Sequence, residues 1–407
     1  MRAPRERLPT VVKSLGAVSF FNDFASEMVY PLIPALVTRT LGGGAVALGV
    51  LDGVAEAAAS LAKLAAGWLA DRRGWRRAMV VWGYVIATVT RPVMAVAATA
   101  WQVIALRATD RLGKGLRNPP RDAVIADATP GAMRGRAFGF HRAMDHAGAV
   151  VGPLAATLLL SAVGVSVPGV FVWSVVPGIV AVAVVSWALR REAASGRRAA
   201  GSGKREATGS ATAGAAEPPA TGAGQRFLLA LVVGFAFARL PETLLVLRLQ
   251  DLAVPVVAIP LVWAALHVVR TVASYPGGWL TDRLGPGRSM VSGWLIYAVV
   301  ITGLGVAGSA VAAIGWFLAF GLVAAATESA ERAFVARVGG PVRRGRAFGV
   351  YHASVGLAAL PGGILFGELY QRSGARTACV ASALLALGLC LALLAAPAGA
   401  LANRRET

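Results

Sequence analysis

The chain has 407 residues, of which 56% are hydrophobic and 15% are charged. About a quarter of the residues of an ordinary soluble domain are charged, so this composition predicts a membrane protein. The excess of 40 Lys and Arg over 20 Asp and Glu is also typical of nucleic-acid-binding proteins, but here the bases follow the ends of apolar segments. We therefore interpret the charge as a signal of membrane topology and exclude nucleic acid as a partner.

Twelve apolar segments are long enough to be membrane-spanning helices, which need about 20 residues each. In chain order they are spans 1 to 12, at 14–37, 46–70, 78–99, 101–121, 142–163, 168–189, 227–249, 255–280, 289–308, 311–335, 347–370 and 375–396. We therefore predict an all-α membrane protein with twelve transmembrane helices.

Span 1 carries two acids, Asp23 and Glu27, at positions i and i+4. They share one helix face about 6 Å apart. A charge inside a bilayer is costly, so each acid should face a watery cavity or a partner, or carry a proton. Two neighbouring acids in a low dielectric raise the proton affinity of one of them, which suits a proton carrier. The alternative is that one acid pairs with an interior base such as Lys63 or Arg111.

Two prolines of the same span, Pro31 and Pro34, interrupt the backbone hydrogen bonds of the helix. They favour a position for span 1 at the wall of a cavity.

Other spans also contain ionisable residues. Asp110 and Arg111 lie in the middle of span 4, where they would line the cavity or form a local ion pair. Glu56 and Lys63 lie two turns apart on span 2, which indicates packing rather than chemistry. Spans 7 and 8 carry four residues that would form a more basic cavity wall, suited to anionic or zwitterionic solutes: Arg239, Glu242, His267 and Arg270.

Basic clusters occupy alternate loops between the spans. On one side lie Arg72, Arg73, Arg76, Arg77, Arg134, Arg136, Arg190, Arg191, Arg197, Arg198, Lys204, Arg205, Arg283, Arg288, Arg337, Arg343, Arg344, Arg346, Arg404 and Arg405. The loops on the other side carry little beyond Arg39, Arg372 and Arg376. Because basic loops stay on the cytoplasmic side, we predict a multi-pass protein of the cell inner (plasma) membrane with both termini in the cytoplasm.

The chain divides into two similar parts. Residues 190–226 are rich in Gly, Ala, Ser and charge, which predicts a flexible cytoplasmic linker between an N-terminal six-helix half (1–189) and a C-terminal six-helix half (227–407). The motif "GWLADRRG" at 67–74 returns as "GWLTDRLG" at 278–285, and "RGRAFG" at 134–139 returns at 344–349. The offsets, 278 − 67 = 211 and 344 − 134 = 210, differ by one residue. The halves are therefore predicted to be structural repeats with a site between them.

The repeated loop "GWLADRRG" resembles the loop 2–3 signature of the major facilitator superfamily. Arg111 and Gly115 match a span 4 pattern of that family. Gly148, Gly152 and Pro153, in the span 5 stretch "GAVVGPLAA", match its antiporter pattern. The resemblance covers the twelve-span, two-half plan and implies the fold of that family and an exporter-type facilitator.

The repeated loop is also predicted to act as a conformational latch. In the first copy, Gly67 would permit close helix approach and Gly74 a tight turn, while Asp71 would face an arginine or a helix N-terminus at the start of span 11. The alternative is a loop that is merely short, basic and topogenic. The latch residues of the two copies are Gly67, Asp71, Arg72, Gly74, Gly278, Asp282, Arg283 and Gly285.

The 210-residue offset predicts a cytoplasmic gate as well. It aligns Arg121 with Glu331 and Asp122 with Arg332, so the charges are inverted between the halves. Symmetry-related positions can approach each other across the axis, and inverted charges turn repulsion into attraction. The alternative is a set of solvated helix ends with chance signs.

The sequence shows neither a phosphate-cradling loop nor the Cys and His spacing of a metal site. We therefore predict no enzyme activity, no cofactor and no metal. The leading hypothesis is a monomeric, proton-coupled secondary exporter of a small amphipathic compound or metabolite, with protons and the lipid bilayer as partners. A proton-linked uptake symporter and a non-transporting membrane receptor are the alternatives.

Overall fold

A computed structural model describes residues 8–70, 75–130, 133–201 and 223–395 of the chain. Within these ranges the backbone is almost entirely helical and contains no β-strand. The longer helices are α1 (Thr10–Val29), α2 (Ala45–Ala70), α3 (Trp75–Val93), α4 (Ala100–Asp127), α5 (Arg134–Ser161), α6 (Val167–Trp173), α7 (Val175–Gly201), α8 (Ala223–Ala238), α9 (Glu242–Asp251), α10 (Ile259–Leu284), α11 (Pro286–Val306) and α12 (Ala310–Leu394). The prediction of an all-α membrane protein is confirmed, and helical backbone occupies each of the predicted spans.

Eight helical stretches in the described ranges are long and apolar enough to cross a bilayer. Spans 1 and 4 are not among them, because charged side chains such as Asp23 in α1 and Arg107 in α4 lower their mean hydropathy. Span 10 corresponds to a shorter apolar stretch, Ala310–Ala324, and spans 11 and 12 together form one stretch, Val350–Leu394. The polar helices α1 and α4 are nevertheless part of the bundle, since α1 packs on α5 and α4 packs on α2.

The long helix α12 contains three passes of the chain. Tyr351 Oη donates to Glu331 Oε2 at 2.5 Å, whereas a straight helix would separate two residues 20 positions apart by about 30 Å. The chain therefore reverses direction between them. It reverses again at Gly374, which has a φ of +82°, because segments before and after this glycine both pack on α8. Spans 10, 11 and 12 thus lie side by side.

Prolines interrupt two helices beside the centre of the bundle. After Val29, the continuation of α1 passes through a 3-10 turn at Tyr30–Leu32 and a π-helical turn at Leu36–Thr40, as expected from Pro31 and Pro34. Predicted span 7 is broken between α8 and α9, at 239–241. The break leaves backbone groups that must be satisfied inside the bundle.

Side chains of neighbouring helices supply the missing bonds at the second break. Leu240 N donates to Tyr297 Oη at 2.8 Å, and Ser382 Oγ donates to Ala238 O at 2.7 Å. The Tyr297 and Ser382 hydroxyls are themselves 2.6 Å apart. Two helices of the C-terminal half therefore hold the break in a fixed shape.

We call the end of the bundle with the loops α2–α3, α4–α5 and α10–α11 the basic end, and the opposite end, with the loops at 41–44, 252–258 and 307–309, the short-loop end. At the short-loop end the two halves touch backbone to backbone. A Cβ atom on Gly49 would lie 2.0 Å from Gly363 O, and one on Gly363 would lie 2.2 Å from Gly49 O. Val46 N also donates to Gln371 Oε1 at 3.2 Å.

The basic end differs from the short-loop end. Toward the basic end, a Cβ on Gly67 would meet no described atom within 4 Å. The short-loop end is therefore the closed end of this conformation.

The predicted linker is only partly described. Helix α7 continues to Gly201, past the predicted boundary at 189, and α8 begins at Ala223. The rest of the predicted linker lies outside the described residues, so its flexibility stays a prediction.

Gly363→Ala should weaken closure of the short-loop end, because the added methyl group meets the backbone of Gly49. Overpacking of this kind typically costs about 1–3 kcal/mol, which corresponds to a fall in the ratio of closed to open protein of about 5- to 150-fold. Spin labels at the exposed positions 40 and 372, one in each half, would report the distance across this end. Gly388→Ala is the control, since its Cβ has open space. Identical distance distributions in the two variants would contradict the prediction.

Candidate functional site

A cavity of about 430 Å³ lies between the two halves of the chain. The charged and histidine side chains that line it are Glu27, Asp52, Glu56, Lys63, Arg111, Arg239, Glu242, His267, Arg270, Glu331 and His352. Its aromatic lining comes from Tyr30, Phe235, Trp263 and Tyr351. A cavity with aromatic walls and convergent polar groups, placed between helices of a bundle, is typical of a small-molecule site.

Glu27 joins the two walls of the cavity. Its Oε2 accepts a hydrogen bond from Trp263 Nε1 at 2.9 Å and lies 3.6 Å from His267 Nε2. The second distance is too long for a hydrogen bond, and it is an ion pair only when the His267 ring is protonated. Trp263 is buried and packs edge-on against the Tyr30 ring. A carboxylate of the N-terminal half is therefore held by two rings of the C-terminal half.

Asp23, one turn earlier on α1, has different surroundings. Its Oδ1 accepts a hydrogen bond from Asn22 Nδ2 at 2.9 Å, and it is not one of the residues that line the cavity. The two acids of the first span thus share a helix, but Glu27 is the one that reaches across to the other half.

Asp52 makes a second connection between the halves. Its Oδ2 accepts from Thr243 N at 3.1 Å and from Thr243 Oγ1 at 2.8 Å, and Tyr30 Oη donates to Oδ1 at 3.2 Å. Thr243 lies in the first turn of α9, directly after the break in predicted span 7. The carboxylate therefore caps the positive end of a half-helix, where unsatisfied N–H groups and the helix dipole favour an anion.

Asp110 belongs to a buried ion cluster, the arrangement expected as the alternative to cavity lining. It accepts from Arg91 Nε and from Arg107 Nη1, each at 3.1 Å, and all three side chains are at most 2% exposed. Arg91 also donates to Asn22 on α1. The prediction that Asp110 lines the cavity is wrong, because two arginines enclose its carboxylate; Arg111 does line the cavity.

Helices α9 and α10 form the predicted basic wall. Arg270 Nη2 donates to Glu242 Oε1 at 2.6 Å, and Arg239 Nη2 lies 3.9 Å from the same oxygen. The arginines on this wall are therefore already engaged by a protein carboxylate. On the opposite wall Glu56 and Lys63 line the cavity, so their interpretation as packing residues is wrong.

The antiporter-like glycines lie on α5 where it crosses α1. A Cβ on Gly148 would lie 2.3 Å from Phe20 O, and one on Gly152 would lie 2.4 Å from Phe24 O. Pro153 follows within the same helix. The motif therefore permits α5 to contact the backbone of the helix that carries the two acids.

The latch can be followed only in part. Asp71, Arg72 and Gly74 lie outside the described residues, as do the Asp282 side chain and the surroundings of Gly278. No atom of the described residues lies within 4 Å of a Cβ built on Gly67. In the second copy, Gly285 has a φ of +79° and joins α10 to α11, while the Arg283 guanidinium stacks 3.9 Å from the Trp279 ring centroid.

The predicted gate pair between Arg121 and Glu331 is not formed in this conformation. Arg121 donates to Asp122 Oδ1 at 2.9 Å and to Ser19 Oγ at 3.4 Å, both within the N-terminal half. Glu331 accepts from Tyr351 within the C-terminal half. The side chain of Arg332, the partner predicted for Asp122, lies outside the described part of the chain.

Sequence reasoning missed Asp52, Thr243 and Trp263. Asp52 could have been found as an acid inside predicted span 2, because an ionisable residue in a span indicates a functional position. Pro241 could have indicated Thr243, because a proline inside a span breaks the helix, and broken helices are where membrane transporters place polar groups. For Trp263 no local signal distinguishes a cavity-lining tryptophan from a lipid-facing one.

The family model described as Major Facilitator Superfamily matches residues 15–269 and 227–406 of the chain. An uncharacterized MFS-type transporter of Methanocaldococcus jannaschii is 25% identical over 365 residues, which make up 88% of each chain. The multidrug resistance protein MdtH of Edwardsiella ictaluri is 31% identical over 134 residues, or 33% of each chain. The crystal structure of a bacterial homolog to the human lysosomal transporter Spinster, inward-facing and unoccupied, aligns with 96% of this chain and 95% of its own at a TM-score of 0.67 and 16% identity.

Thr243→Val should destabilise the closed short-loop end, because it keeps the side-chain shape but removes a hydroxyl that donates to the Asp52 carboxylate. A hydrogen bond to a charged group contributes about 1.5–3 kcal/mol, and about 1.4 kcal/mol is a factor of ten in population. The label distance between positions 40 and 372 should therefore lengthen. Thr377→Val, whose hydroxyl bonds only within its own helix, serves as the control. An unchanged distance in Thr243→Val would refute the role of this contact.

Proposed function

Because the chain belongs to the Major Facilitator Superfamily, we propose that it is a secondary active transporter that exports a small amphipathic compound or metabolite, coupled to protons, by alternating access. The observation that carries this proposal is the position of Glu27. Its carboxylate lies in the cavity between the halves and is contacted by Trp263 and His267 of the opposite half. A proton that binds there acts on the contact between the two moving parts.

The coupling step follows from the chemistry of this contact. Ionised Glu27 accepts a charge-assisted hydrogen bond from Trp263 and attracts His267 when that ring is protonated. Charge-assisted hydrogen bonds are about twice as strong as neutral ones. A proton on Glu27 removes the charge, weakens the contact across the cavity and favours separation of the halves; its release restores the contact. Proton binding and conformation are linked because the two conformations bind the proton with different affinity.

Export is supported by the likeness of one third of the chain to MdtH, a multidrug resistance protein. It is also supported by the glycine motif of α5, which packs on the acidic helix α1. The basic loops support a cytoplasmic basic end and cytoplasmic termini in an inner membrane. The present conformation, closed at the short-loop end, is then the one that is open toward the cytoplasm and accepts a compound for export.

Two devices would control the change of conformation. The latch loops, with Asp71 and Asp282, would hold the basic ends of the halves together in the opposite conformation. The inverted charges at positions 121, 122, 331 and 332 would add a gate that forms when the basic end closes. The separation of Arg121 from Glu331 in a conformation closed at the other end is consistent with such a gate. We propose that the chain works as a monomer, because each half supplies part of one site.

Glu27→Gln should abolish proton-driven transport in proteoliposomes, with a loss of about 10²-fold or more, because an amide keeps the shape but cannot take up and release a proton. We expect the same of Asp23→Asn. Counterflow of the compound, which needs no net proton movement, should persist in both variants. The compound would come from a growth-resistance screen across compound classes. Wild-type uphill transport by both variants would exclude the two acids from the coupling.

The direction of transport is tested in the same proteoliposomes. Movement of the compound opposite to an imposed proton gradient supports export, whereas movement with the gradient would identify an uptake symporter. Absence of any flux, in reconstituted protein that remains folded, would favour a receptor.

Reversal of one gate charge should reduce the transport rate, and reversal of both should restore it. Arg121→Glu or Glu331→Arg alone should slow transport several-fold, and the double variant should recover most of it, since the double-mutant cycle isolates the coupling between the two positions. Rates are measured by counterflow, which requires both ends to open. A double variant no faster than its single parents would rule the gate out.

A further inference from the structure

Three charged side chains of the cavity form no hydrogen bond and no ion pair within 4.0 Å with another described residue: Glu56, Lys63 and Arg111. Glu56 lies near enough to the two cations to interact with their charges, which leaves the group with one more cation than anions. The Arg111 guanidinium lies 6.0 Å from the centroid of the Tyr30 ring. Charges at membrane depth that lack a protein partner indicate a solute-binding position.

The other cavity charges already have partners. Glu27 is bonded to Trp263, Asp52 to Thr243, and Arg270 to Glu242. Arg239 lies within ion-pair distance of Glu242 as well. The free charges therefore amount to two cations against one anion, and all three project from the wall formed by α2 and α4.

Helix α4 extends this positive character toward the basic end. Residues 111–120 contain Arg111, Lys114 and Arg117 and no acid. The helix runs from the short-loop end at Ala100 to the basic end at Asp127, so Lys114 lies about one turn beyond Arg111 toward the basic end. Arg117 is buried against α3, where it donates to Gly83 O and lies over the Tyr84 ring. Charges of one sign along a low-dielectric cleft attract ions of the opposite sign.

We propose that the solute is an organic anion, whose acidic group is held by the Arg111 guanidinium and the Lys63 ammonium and whose apolar body packs on Phe235, Trp263 and Tyr351. This rests on the proposed transport function, for which the cavity is the binding site. The planar guanidinium binds a carboxylate or a similar oxyanion through two parallel hydrogen bonds, and the ammonium adds a point charge. Glu56 accepts a hydrogen bond from a donor on the solute and otherwise opposes the binding of anions.

Two xanthene dyes of opposite charge test the assignment: fluorescein as the anion and rhodamine 6G as the cation. Binding to the purified protein is measured by fluorescence polarisation, without any gradient. Fluorescein should bind at least about tenfold more tightly than rhodamine 6G. Arg111→Gln and Lys63→Gln should each weaken fluorescein binding about tenfold, whereas Glu56→Gln should strengthen it. Arg39→Gln, at an exposed position outside the cavity, should leave it unchanged.

Thermal unfolding of each variant distinguishes loss of the binding site from loss of the folded structure. Arg111→Lys keeps the positive charge but lacks the planar guanidinium. It should bind fluorescein more tightly than Arg111→Gln, at a similar melting temperature. Tighter binding of rhodamine 6G, fluorescein binding that neither neutralisation weakens, or no binding of either dye would overturn the assignment. Because binding at equilibrium needs neither protons nor flux, these outcomes are distinct from a failure of the proposed coupling, which proteoliposome transport reports.

Discussion

A charged side chain in the hydrocarbon layer must be paired, neutralised or given access to water, because an isolated charge there is costly. This constraint governs the interior of the bundle. Asp110 binds two arginines, Glu242 binds Arg270, and Asp52 caps a half-helix. The charges left over face a cavity between the halves. The cavity thus contains both charges that the protein pairs, such as Glu242 with Arg270, and charges without a bonded partner among the described residues, such as Lys63 and Arg111.

The need to pair buried charges also explains why a few of the contacts between the two halves are polar. Glu27 and Asp52 come from the N-terminal half and bind donors of the C-terminal half. Elsewhere the halves meet through glycines such as Gly49 and Gly363, which bring backbones together without interlocking side chains. Two backbones that touch at glycines can separate and re-form without rearranging side chains. When the halves separate, the carboxylates of the polar contacts can bind a proton or water instead. Such an interface suits two rigid parts that rock against each other.

The broken helix α8–α9 connects these two features. Its interruption exposes an N-terminus at which the Thr243 N–H donates to the Asp52 carboxylate of the other half. Tyr297 and Ser382 hold the break in place, so the site is preorganised within one half and completed by the other. Asp52 bonds to Thr243 across the halves, and both Asp52 and its partner Tyr30 line the cavity. Closure of the short-loop end and the shape of the cavity therefore depend on one another.

The sequence by itself determined the all-α membrane fold, the repeat of two halves and the presence of acids in span 1, because span length, basic loops and motif spacing are local properties. The tertiary structure decided which ionisable residue does what. Asp110 and Arg111 are adjacent in sequence, yet one is enclosed by arginines and the other lines the cavity. Likewise Glu27, and not Asp23, reaches Trp263, 236 residues away. Pairing across helices depends on rotation and packing between distant segments, which no local pattern encodes.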